Sequence, residues 1–98
     1  MKVDSSQMKT KSTLQELRAK VDQIDRVIIE QLAHRSELSS KIGLLKFQEK
    51  QKIQDATREA ALKKHHAVLA KSHGLDLLFI EKLFQIILRH SKKIQKQK

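Results

Sequence analysis

Apolar side chains recur along the first half of the chain at Leu14, Leu17, Val21, Ile24, Ile28, Leu38, Ile42 and Leu45. Most of the steps are threes and fours, the rhythm of a heptad seam, and the stretch holds no Pro and only Gly43 as a glycine. The pattern predicts one long amphipathic helix from Leu14 to about Phe47. Thr13 or Ser12 is placed to cap it, with Gln15 or Glu16 completing a capping box. Such a rod spans roughly 50 Å at about 1.5 Å per residue. A small chain cannot cover it alone, so the seam asks for a partner chain. The seam also breaks once. Arg35 stands where an apolar residue is due, with Gln31 one turn earlier. A cation in an apolar stripe is costly unless a negative group meets it there.

Gln48 to Lys52 is polar and without rhythm, a loop, and Ile53 is an anchor before the next element. A second helix is expected from Gln54 or Asp55 to about Ser72, with Asp55 as N-cap and Glu59 at the positive end of the dipole. Its apolar face is thin: Ala56, Ala60, Leu62 and Leu69. His73-Gly74 is a stop signal, with Gly74 in the left-handed C′ position, and Asp76 caps a third helix. That helix carries Phe79, Ile80, Leu83, Phe84 and Ile87 and runs to about Gln95. The expected fold class is therefore all-α, three helices in one domain over residues 13–98. Residues 1–12 form a polar, basic arm, and Lys92 to Lys98 a solvated basic end.

Composition narrows the chemistry. Cys is absent among the 98 residues, so there is no disulfide framework and no thiolate. No apolar run approaches the roughly 20 residues that span a bilayer, and Met1 to Ser12 lacks the apolar core of a signal peptide. A cytoplasmic protein without membrane contact is expected. The formal net charge of +10 calls for an anionic partner, either nucleic acid or a small anionic substrate, unless it is simply a solvated Lys-rich surface. Lys far outnumbers Arg and no aromatics interleave with the cations, which argues against base stacking or specific readout.

The candidate chemistry sits on all three helices. Arg35 and Lys46 are three turns apart on one side of the long helix, with Cα atoms roughly 16 Å apart, so their long side chains can converge on a small anion. Arg18 lies roughly 25 Å from Arg35 along the same rod. Either it pairs with Asp22 as a surface charge, or it serves the same ligand from a second chain packed antiparallel. Asp55, Arg58 and Glu59 share one face of the second helix's first turn, as a self-satisfied cap with an internal ion pair or as part of a site. The apolar stripe of the third helix runs on into Ser91 and Gln95, which reads either as a fraying end or as a wall becoming a pocket lining. The five histidines, His34, His65, His66, His73 and His90, form no metal-ligand set and read as surface or cap residues. No Ser-His-Asp order, Gly-rich phosphate loop or CxxC pair occurs.

Taken in order, these signals resemble a family. Leu17-Arg18-Ala19-Lys20-Val21-Asp22-Gln23-Ile24-Asp25, then Ala33-His34-Arg35-Ser36-Glu37-Leu38, then Ile42-Gly43-Leu44-Leu45-Lys46 are similar to the long helix of the all-helical chorismate mutases, the AroQ type. Asp55-Ala56-Thr57-Arg58-Glu59 matches the start of that family's second helix. Leu83-Phe84-Gln85-Ile86-Ile87-Leu88, with Ser91 and Gln95 at later turns, matches the third. The resemblance covers about Thr13 to Gln95. It implies an intertwined antiparallel homodimer with two active sites, each taking Arg18 from one protomer and the other residues from its partner. It further implies that Arg18 and Arg35 hold the two carboxylates of chorismate. Lys46 and Gln95 would hydrogen-bond the ether oxygen and Glu59 the ring hydroxyl, with Asp55, Arg58 and Ser91 completing the contacts. It implies no cofactor, no metal and no nucleic acid. His34 and His90 stand where some relatives carry acidic residues, and Gln54 where some carry Arg; none of these is a catalytic position.

The residue types suit that chemistry. Conversion of chorismate to prephenate is a unimolecular rearrangement that needs no nucleophile and no metal. Charge grows on the ether oxygen as its bond breaks, where a fixed cation and an amide donor stabilise it. The rivals are an isochorismate pyruvate lyase of the same fold and a basic helical nucleic-acid-binding module. The intact Asp55, Arg58 and Glu59 favour the mutase over the lyase. The nucleic-acid module predicts binding that falls steeply with salt, and gives no reason for Glu59, Ser91 and Gln95 to fall in register.

Overall fold

The computed structural model describes residues 13–97. They form three α-helices in chain order, with no strand among the described residues: α1 Leu14–Gln48, α2 Ala56–Ser72 and α3 Leu77–Gln95. The basic arm expected over residues 1–12 lies outside the described residues. The described residues divide into two compact units, 13–34 and 35–97.

Local chemistry accounts for each helix end. At the start of α1 the capping box closes in both directions. The Glu16 N–H donates to Thr13 Oγ1 at 3.0 Å, and the Thr13 N–H donates to Glu16 Oε1 at 2.9 Å. Asp55 caps α2 by accepting from the Arg58 N–H at 2.9 Å, and Asp76 caps α3 by accepting from the Leu78 N–H at 3.1 Å. After α2 the Leu75 N–H reaches the Ala70 carbonyl at 2.8 Å and the Gly74 N–H reaches that of Lys71 at 3.2 Å. This is a Schellman ending, with Gly74 at φ +67° as its left-handed residue.

The end of α1 uses the same ending without a glycine. The Gln51 N–H donates to the Lys46 carbonyl at 2.7 Å and the Lys50 N–H to that of Phe47 at 3.2 Å, with Lys50 at φ +58°. A side chain in that conformation costs about 1–2 kcal/mol. No glycine or proline marks the stop; the loss of apolar rhythm after Phe47 does, and the reversed chain carries Ile53 back past the last turn of α1.

In the first unit the part of α1 from residue 14 to residue 34 has no buried residue. Leu14, Leu17, Val21, Ile24 and Ile28 are each about half exposed, at 60, 48, 54, 59 and 50%. In the second unit α2 packs against α3, and Ala70 and Ile80 are the buried apolar residues. Three more buried positions are polar: Ser39, Ser91 and Gln95, at 4, 7 and 9% exposure. An interior this polar is unusual for a core and marks a site.

The inward side of α2 differs from the expected one. Leu69 is exposed, while Glu59, Leu62, His66, Ala67 and Ala70 turn inward. His66 is a correction to its expected surface role. It is half-buried and stacked on Phe84 of α3, with ring centroids 3.9 Å apart and planes tilted by 32°. Apolar and alanine positions lie all around α2, so its own pattern selects no face, and contact with α3 does.

Candidate active site

The C-terminal part of α1, the start of α2 and the end of α3 enclose a cleft of about 400 Å³. Helical spacing aims Arg35, Ser39, Ile42 and Lys46 of α1 into it, at steps of four, three and four. From α3 come Leu88, Ser91, Lys92 and Gln95 by the same rule. Arg58, Glu59 and Leu62 come from α2, Asp55 from its N-cap, and Ile53 from the loop before it. Seven of the eight residues singled out in the sequence are thus brought together. The eighth, Arg18, belongs to the first unit, where it is exposed; among the described residues no ion pair joins it to Asp22. Of the two readings of Ser91 and Gln95, the pocket lining is the correct one.

Gly43 sets the distance between α1 and the end of α3. A Cβ there would lie 2.6 Å from both the Cα and the carbonyl oxygen of Gln95. Only glycine lets the backbone carrying Gln95 approach this closely. Gln95 Oε1 then accepts from Lys46 Nζ at 3.1 Å, and the carbonyl of Ile53 accepts from the same ammonium at 2.7 Å. Two of the three N–H donors of Lys46 are so engaged and its head is fixed, with one donor to spare. Because Gln95 uses its oxygen on Lys46, its NH2 is the end left to donate.

Arg35 donates to the Ser91 hydroxyl through Nη1. Its pKa is depressed below the ordinary arginine value, first by burial and then by the neighbouring Arg58 cation. Both causes express the same condition, a guanidinium short of counter-charge, and an anion between the two arginines relieves it. Four basic side chains (Arg35, Lys46, Arg58 and Lys92) and two acidic ones (Asp55 and Glu59) line the cleft, an excess of two positive charges. Such a lining favours a small anion.

The first turn of α2 is only in part the self-contained cap. Asp55 does cap the helix through the Arg58 N–H. The carboxylate of Glu59, however, pairs across to Lys92 of α3, with Nζ–Oε2 at 3.1 Å. Lys92 is therefore a correction: it belongs to the cleft and not to a solvated last turn. Ser39, Lys92 and the Ile53 carbonyl were not singled out in the sequence. For the two side chains the signal exists, since each lies one turn from a residue that was: Ser39 from Arg35 and Lys92 from Gln95. A backbone carbonyl carries no such signal.

Comparison with known proteins identifies a family. The chain matches the family described as chorismate mutase type II over residues 17–96. It is 36% identical over 84 residues to a chorismate mutase of Methanocaldococcus jannaschii, covering 86% of this chain and 85% of that relative. It is 33% identical over 84 residues to a bifunctional chorismate mutase/prephenate dehydratase of Escherichia coli, covering 86% of this chain but 22% of that protein. A bifunctional relative of the same description from Buchnera aphidicola is 33% identical over 90 residues, which is 92% of this chain and 23% of the relative.

Proposed function

We infer that this chain, which belongs to the chorismate mutase type II family, rearranges chorismate to prephenate in the cleft described above. Its activity is that of a chorismate mutase, an intramolecular isomerase, placed in aromatic amino acid biosynthesis. The observation that carries the site assignment is the convergence of Arg35, Lys46, Ser91 and Gln95 in a cleft with two excess positive charges.

Chorismate is a flexible dianion. In the rearrangement the bond to the ether oxygen breaks while a carbon–carbon bond forms, so negative charge develops on that oxygen. The spare N–H of Lys46 and the NH2 of Gln95 are the donors assigned to it, and both are held before the substrate arrives. Arg35 takes a carboxylate, steadied by Ser91 and urged by Arg58. Glu59 accepts from the ring hydroxyl, and Asp55 and Arg58 complete the polar wall. Holding both ends of the substrate fixes the compact conformer that reacts, which lowers the entropic part of the barrier.

Arg18 takes the second carboxylate from a second copy of the chain. Supporting this are its exposed position and the exposed apolar row Leu14, Leu17, Val21, Ile24 and Ile28 beside it, which an antiparallel partner helix would cover. The protein is accordingly read as an intertwined homodimer of protomers with one domain over residues 13–98. It is also read as cytoplasmic and as having no nucleic-acid partner. Among the described residues no helix is long and apolar enough to cross a membrane.

Mixing purified protein with chorismate should remove the absorbance of chorismate and yield prephenate as the identified product. Stable absorbance, or turnover of isochorismate to salicylate and pyruvate in preference to chorismate, would defeat the assignment.

A further inference from the structure

Glu59 stands on a ridge between two hollows. One is the cleft described above. The other is a groove of about 270 Å³ between α2 and α3, and Glu59 lines it too. Each hollow offers the carboxylate a cation. In the groove it is Lys63, one turn further along α2, in the Glu-before-Lys order that favours an i,i+4 pair. In the cleft it is Lys92, which lies 3.1 Å from Oε2 while both side chains remain about 30% exposed. The carboxylate is found with Lys92.

We propose that Lys92 is a positioning residue for the rearrangement: it holds the carboxylate of Glu59 in the cleft, against the pull of Lys63 toward the groove. The proposal rests on the assignment of Glu59 to the substrate's ring hydroxyl. Lys92 needs no contact with the substrate for this. A Glu side chain has three rotatable bonds, and a carboxylate drawn into the groove no longer faces a ligand in the cleft. A cation on α3 opposes that excursion because Ser91 and Gln95, its neighbours, are buried and hold that turn of α3 against α1.

Steady-state kinetics with chorismate test the idea on Lys92→Met, Lys92→Arg, Glu59→Gln, Lys63→Ala and the combinations, with far-UV circular dichroism checking that each variant is folded. Lys92→Met should lower kcat/KM about tenfold, the size of coupling between groups in contact. Lys92→Arg should stay within about twofold of the parent, and adding Lys63→Ala to Lys92→Met should recover much of the loss. In the Glu59→Gln background Lys92→Met should change the rate by less than about twofold. An equal loss in both backgrounds would mean that Lys92 attracts the dianion directly, and would overturn the proposal. No loss on Lys92→Met in the parent would overturn it as well. A Glu59→Gln enzyme as active as the parent would instead remove the role of Glu59 itself and the proposal with it. An impaired Glu59→Gln enzyme with no coupling to Lys92 removes only the role of Lys92.

Discussion

Two glycines occupy the chain for different reasons, and substitution separates them. At Gly43 an added Cβ meets backbone atoms of Gln95 at 2.6 Å, so α3 must move. Gly43→Ala should cost about 1–3 kcal/mol in urea unfolding and lower kcat by about a hundredfold, because Gln95 is displaced from Lys46. At Gly74 nothing lies within 4 Å of the added atom, but φ is +67°. Gly74→Ala should cost about 1 kcal/mol and leave kcat within error, since only the backbone conformation is penalised. Gln95 allows a second experiment at this scale. Its amide donates at any pH, so kcat of the parent should vary little from mildly acidic to mildly basic solution. In Gln95→Glu the carboxylate beside Lys46 donates only when protonated, so that variant should gain activity as pH falls. Identical profiles for parent and variant would show that Gln95 does not face the ether oxygen.

At the scale of the elements, the ends of α1 and the inner face of α2 are the places to probe. Lys50 closes α1 at φ +58°, where glycine is the better residue. Lys50→Gly should stabilise the protein by about 1 kcal/mol in thermal or urea unfolding, with activity unchanged. An unchanged midpoint would show that Lys50 is not strained there. His66 on α2 is pushed below the usual imidazole value of 6.5 by burial first, then by His65, Arg35 and Arg58. Glu59, Lys63 and Glu81 share its groove. A histidine with a depressed pKa is protonated less readily in the fold than in the unfolded chain. Its contribution to stability is full above the unfolded value and is lost as pH falls below it. The drop in stability between about pH 8 and about pH 5 should therefore be smaller in His66→Leu than in the parent, as read from urea midpoints at each pH. A drop of the same size in both would rule His66 out as the acid-sensitive group.

At the scale of the whole molecule the test is whether one cleft draws on two chains. The exposed apolar row of α1 leads us to expect a homodimer whose unfolding midpoint rises with protein concentration. A well-folded monomer at micromolar concentration would contradict that. Arg18→Ala and Arg35→Ala should each be nearly inactive alone. When the two are unfolded together and refolded, random pairing makes about half the dimers mixed. In a mixed dimer both lesions fall in one cleft and the other is intact, so activity should return to about a quarter of the parent's. If chains have exchanged and activity remains that of the single variants, Arg18 does not act across an interface.

What the sequence determined by itself is what depends on near neighbours. Thr13 with Glu16, Asp55, Asp76 and Gly74 set helix ends through bonds to residues at most four or five positions away, and each was legible. That Arg35 shares a side with Lys46, and Ser91 with Gln95, followed from helical periodicity, while the choice for Ser91 and Gln95 between a fraying end and a pocket lining stayed open. The end of α1 near Phe47 was legible from the loss of apolar rhythm, but its left-handed residue was not, because Lys50 adopts a conformation against its own preference. Only the tertiary structure decided which way α2 faces, since its small and apolar residues surround it and contact with α3 makes the choice. It also decided the pairing of Lys92 with Glu59, the hold of the Ile53 carbonyl on Lys46, and the need for Gly43 against Gln95. Each of these depends on the distance between two elements, a quantity set by how the helices pack and carried by no single stretch of the chain.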